Sequence, residues 1–366
     1  MAALAPDRQQ VARDFDYRLC WHNIYLLLSN VARFGASNFR GWWCASSTLT
    51  PALMASGEVL ALSGLVESCA GPVGDGGDRN SAELAAAVLS FSQCYTSSPA
   101  DVSVSVGGHN APHAARCTHG VLSVIEGALR HDASCPCEHA CPWVAASATG
   151  IRWFKSALRS PAVQGVAVAR GAFKLMLDVV ARCGTHQAGA CTGADAPFSP
   201  RVACDALKAA NNVLVVAPAT LDAVIAQPEL HNRIIRLLQC HEPRHADVMV
   251  TLCRLVERAV ACSAKFASLL VRGAAGAPLL LGLASCLADC VRRKPPCFPR
   301  GTGRLQVACA LLDLMFALAG ESGLVADGVL SLPAELQSPV AQVVLLAVEV
   351  RTVCMCVGMR GARMLC

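Results

Sequence analysis

Apolar residues fall at Val202, Ala203, Ala206, Leu207, Ala210, Val213 and Leu214, spacings of three and four that predict a helix with one apolar side. After a break at Ala217–Pro218, a second amphipathic run covers Leu230 to Leu238. A third covers Val248 to Val260, carried by Val248, Met249, Leu252, Leu255, Val256 and Ala259. Helix, short polar turn, helix is the unit of helical-repeat proteins, in which each piece buries its apolar face on its neighbours. The interval from Val202 to Val248 falls within the roughly 40–47-residue period of HEAT and armadillo repeats.

The same pattern recurs on both sides of this stretch. Helices are expected within Asp14–Phe34, over Leu53–Cys69 and over Ala82–Cys94, the last capped by Asn80 or Ser81. A long surface loop is expected from Tyr95 to Ala115, then a helix from Gly120 to Arg130. Two helical runs follow within Trp143–Cys183, split near Ser160–Pro161. Further helices are expected over Ala264–Val271, Pro278–Val291, Arg304–Ala319 and Ser338–Val350. Only Val102 to Val106 alternates as a strand would. The expectation is an all-α chain folded as an armadillo/HEAT-like α-solenoid, a right-handed superhelix. Residues 1–183 would hold N-terminal repeats with long polar loops and 184–200 an insertion. Residues 201–350 would hold C-terminal repeats, and 351–366 an irregular tail.

Composition agrees with closely stacked helices. Over 366 residues, 54% are hydrophobic, 16% charged and 5% aromatic, so Ala, Val, Leu and Cys carry the apolar surplus. The uncharged apolar run Gly273 to Ala288 contains Pro278 and falls short of the ~20 residues a spanning helix needs. The start, MAALAPDRQQVARDFDYR, lacks the apolar core of a secretory signal. A soluble, cytoplasmic monomer without a membrane span is therefore expected.

The 21 cysteines are scattered, and Cys204, Cys253, Cys262, Cys286 and Cys309 fall in apolar helix faces, where a reduced thiol acts as a small hydrophobe. The densest polar patch is Cys117, His119, His131, Cys135, Cys137, His139 and Cys141. Its pairs are separated by one residue, tighter than a zinc knuckle, so a cysteine-rich loop without metal is the expectation. No phosphate loop, metalloprotease helix or nucleophile elbow is present. His231, His241 and His245 lack a partnering nucleophile, and Ser263 reads as a helix start. Neither enzyme activity nor a cofactor is expected. The net charge of +5 is modest, and the basic connector Arg292, Arg293, Lys294, Arg300 and Arg304 has only Phe298 for stacking. Nucleic acid is thus not an expected partner.

Two segments carry a resemblance. DALKAANNVLVVAPATLDAVI with VMVTLCRLVERAV, and LQVACALLDLMFALAGESG with LPAELQSPVAQVVLLAVE, resemble the synembryn family over roughly residues 201–349. That family comprises armadillo-type chaperones and exchange factors for heterotrimeric G-protein α subunits. Ala206, Leu207, Lys208 and Asn212 match its first motif, with Asp205 for the acid; Leu336, Gln337, Pro339 and Val340 match its last. Ala317 stands where the family has asparagine. The resemblance implies capture of the C-terminal helix of Gα in a concave groove, with GDP release. Lys208, Asn212, Arg254 and Arg258 are the expected protein-binding residues. A general armadillo/HEAT adaptor for another protein or peptide is the alternative.

Overall fold

A computed structural model describes residues 19–24, 26–27, 79–94, 111–130, 142–183, 199–227, 232, 234, 238, 246–272, 283, 286 and 302–321. These residues are helical or join helices, and no strand occurs among them. The all-α expectation holds. Val102–Val106, Leu53–Cys69 and Ser338–Val350 lie outside the described residues. By contacts the chain divides into two units, Met1–Thr220 and Leu221–Cys366.

The first unit contains α1 (Arg79–Cys94), α2 (Ala111–Arg130), α3 (Pro142–Ala157), α4 (Pro161–Ala169), α5 (Ala172–Cys183) and α6 (Pro200–Val216). Helix α3 packs on α1, α2 and α6, and α6 packs on α3, α4 and α5. This explains why adjacent residues of α3, Trp153 and Phe154, are both fully buried. A helix enclosed by three others keeps only a narrow polar edge, here Arg152 and Lys155. Burying a large apolar side chain contributes roughly 1.5–3 kcal/mol.

Two local contacts fix the directions of these helices. Ser147 Oγ donates to Val124 O at 3.2 Å, and a Cβ placed on Gly150 would meet Val121 Cγ1 at 3.1 Å. Advancing three residues along α3 therefore retreats three along α2, so the two are antiparallel. Asn212 Nδ2 donates to Lys155 O at 3.2 Å, while Arg152 and Lys155 both reach back to Asp205. At 1.5 Å rise per residue, this set of contacts requires α3 and α6 to run in the same direction.

Proline and glycine set the helix limits. Pro161 and Pro200 open α4 and α6, where the missing N–H is one that would be unpaired anyway. Helix α6 ends because Pro218 forces Ala217 out of the α region, to φ −136° and ψ 77°. Gly171 has φ +61° and joins α4 to α5. The second expected run in Trp143–Cys183 is thus broken once more than its apolar pattern suggests, because a left-handed residue ends a helix without interrupting hydrophobicity.

Helix α2 also departs from expectation. It starts at Ala111, within the segment expected to be loop, and buries Ala114, Cys117 and Thr118. Pro112 is tolerated in a first turn, and Gly120 sits inside the helix instead of opening it.

The second unit contains α7 (Thr220–Ile225, whose first residue closes the first unit), α8 (Ala246–Cys262), α9 (Ala264–Arg272) and α10 (Thr302–Glu321). Helix α8 packs on α9 and α10, and α9 on α10. Of the expected apolar face of α8, Met249, Leu252, Leu255, Val256 and Ala259 are buried and Val248 is half-buried; Val250, Cys253 and Val260 are buried as well. Ser263 separates α8 from α9, and its Oγ accepts from Phe266 N at 3.2 Å, an N-cap as its place in the sequence suggests. Ile234 and Leu238, from the expected Leu230–Leu238 run, are helical and buried. No helix among the described residues is long and apolar enough to cross a membrane.

Candidate protein-binding surface

Helix α6 belongs by contact with the helices before it, although the composition break at 184–200 assigns it to the C-terminal part. Ten of its positions are buried, because α3 and α5 both pack against it. What remains exposed is a narrow strip, Arg201, Lys208 and Val215, at intervals of seven residues, with Val216 exposed beside its end. Lys208 is therefore solvent-facing, as a binding residue must be. Asn212 is half-buried, and its amide ties α6 to the Lys155 carbonyl.

Asp205 contributes most to the electrostatics of this helix. It is 8% exposed, with Lys155 Nζ at 2.6 Å from Oδ1 and Arg152 Nε at 3.5 Å from Oδ2. The first contact is a charge-assisted hydrogen bond. The second lacks hydrogen-bond alignment and adds charge alone. Burying a carboxylate without such partners would cost several kcal/mol, on the order that drives a group to neutralise. Lys155 and Arg152 keep side-chain exposures of 29% and 32%, so water still reaches both cations. The repeat pattern in the sequence does not reveal this arrangement, since the partners lie about fifty residues upstream and carry no local signature.

A second polar cluster holds the turn between α4 and α5. Arg170 Nη2 lies 3.0 Å from Glu126 Oε1 and 3.5 Å from Ser123 Oγ, and Nη1 lies 3.4 Å from His119 Nδ1. His119, Ser123 and Glu126 recur at four and three residues on one face of α2, which places all three under one guanidinium. His119 thus faces an arginine. Cys117 is fully buried in α2, and the remaining members of the Cys117–Cys141 patch, His131 to Cys141, lie outside the described residues. No group of three or more His, Cys, Asp or Glu side chains converges among the described residues.

In the second unit, Arg254 and Arg258 are exposed one turn apart on α8, on the side opposite its buried stripe. Arg254 and Arg258 are thus brought together, as Lys208 and Asn212 are in the first unit. Of the five cysteines expected in apolar faces, Cys204, Cys253 and Cys286 are buried and Cys309 is half-buried. Cys262 is exposed instead, at the last residue of α8, just past the buried Ala259 and Val260. His231, His241, His245 and most of the basic connector lie outside the described residues. Compared with protein-family models, curated proteins and solved structures, the chain matches none.

Proposed function

We propose that the chain is an armadillo/HEAT-like α-solenoid that binds another protein, a heterotrimeric G-protein α subunit being the partner its resemblance implies. One observation supports the scaffold reading most. Antiparallel α2 and α3, followed by α6 lying parallel to α3, is the order in which equivalent helices of successive repeats stack. Such a stack leaves one helix of each repeat partly facing solvent, and on α6 that face is the strip containing Lys208. Capture of a helix or extended segment would use exposed polar side chains, Lys208 in the first unit and Arg254 and Arg258 in the second. Asn212 would serve mainly to hold α6 in place.

The adaptor alternative draws on a different observation. Asp205, Leu207 and Asn212, three residues of the resembling motif, are engaged in holding α6 within its unit. Any stacked helix could use them in that way, whatever its partner. Mixing the chain with GDP-loaded Gα and following nucleotide release separates the two. Accelerated release supports the exchange factor, and release unchanged from that of Gα alone supports the adaptor.

A further inference from the structure

We infer that the seam between α3 and α6 is a docking surface for an acidic protein segment with an apolar end. This rests on the scaffold reading and names the chemistry of the partner. On α3 the seam presents Arg152 and Lys155, which share the single carboxylate of Asp205. On α6, Arg201 lies four residues before Asp205 and Lys208 three residues after it, so all three occupy one side of the helix. Two cations thus hold one buried acid, and two more stand exposed on the same side of α6. Arg201 and Lys208 form no ion pair with a described residue.

The fold itself does not require these outer charges. Arg201 stands in the first turn of α6, which carries no acidic residue, at the helix end where the backbone dipole disfavours a cation. Lys155 and Arg152 already suffice to hold Asp205. Positive charge in excess of internal need, on a strip aligned along one helix, is complementary to carboxylates. Val215 continues the strip and is 52% exposed, so the far end is apolar. At 1.5 Å per residue the strip from Arg201 to Val215 spans about 21 Å, the length of roughly six extended residues. Among the described residues no aromatic is exposed for base stacking, so a polypeptide fits the strip better than single-stranded nucleic acid.

The test is a fluorescence-anisotropy titration of the full chain with a labelled peptide of six glutamates followed by two leucines. The expected result is binding that weakens steeply with added salt. It should weaken at least tenfold in the double variant R201Q/K208Q and stay unchanged in K265Q, an exposed lysine on α9, with circular dichroism confirming that each variant is folded. V215N should weaken this peptide and leave an all-glutamate peptide unaffected. Equal binding of an all-glutamine peptide, or binding indifferent to R201Q/K208Q, would overturn the inference. So would tighter, R201Q/K208Q-sensitive binding of a 20-nucleotide single-stranded DNA. Loss of peptide binding with Gα capture intact would remove this surface alone. Peptide binding without Gα capture would remove the Gα reading alone.

Discussion

Lys155 Nζ lies 2.6 Å from Asp205 Oδ1, joining α3 to α6 across fifty residues of sequence. The carboxylate is almost fully enclosed and the ammonium is not, so the two partners are unequal when removed. Lys155→Met leaves Asp205 enclosed with only the less well aligned Arg152, and should cost about 1–3 kcal/mol. The double variant K155M/D205L removes both charges and should recover most of that loss. Chemical denaturation followed through the buried Trp143 and Trp153 checks both values, and a double variant no better than K155M would contradict the ion-pair account.

Gly165 and Gly171 offer a paired comparison. Neither would place an added Cβ within 4 Å of another atom, so packing is not at issue in either case. Gly165 lies within α4, whereas Gly171 has φ +61°. Gly165→Ala should therefore stabilise by roughly 0.5–1 kcal/mol through helix propensity. Gly171→Ala should destabilise by about 1–2 kcal/mol through left-handed strain. Thermal melts of the two variants should shift in opposite directions.

Gly150 differs from both. A Cβ there would come within 3.1 Å of Val121 Cγ1 and 3.4 Å of Leu89 Cδ1, where α3 crosses α2 and α1. Valine in a helix is held to one rotamer and cannot turn aside. Overpacking of roughly 1–3 kcal/mol should then outweigh the helical gain of under ~1, and Gly150→Ala should destabilise. In a Val121→Ala background the obstructing methyl is gone, and the same substitution should become neutral or stabilising. Melting temperatures of the parent chain, the two single variants and the double variant provide the check.

These residues mark the limit of what the sequence discloses. The apolar stripe of Val202 to Leu214 reads directly as a buried helix face, and that of Val248 to Val260 does the same. Periodicity is local, so local pattern finds it. The start of α2 at Ala111 is hidden because Pro112 and Gly120 punctuate the sequence like a loop, while the burial of Ala114 and Cys117 comes from distant helices. Asp205 stands in place of an acid in the resembling segment, yet its role comes from Lys155 and Arg152, which nothing near Asp205 indicates. Lys208 and Asn212 are four residues apart and alike in the sequence. Only the placement of α3 gives one to solvent and the other to a backbone carbonyl.

The central claim is that stacked helices here serve to hold another protein. Size-exclusion chromatography of the full chain mixed with GDP-loaded Gα, with bound nucleotide measured in each fraction, tests it most directly. The account predicts a co-eluting complex depleted of GDP, and a tenfold or greater loss of affinity, about 1.4 kcal/mol, in K208E/R254E. Separate elution with the nucleotide retained on Gα would contradict it.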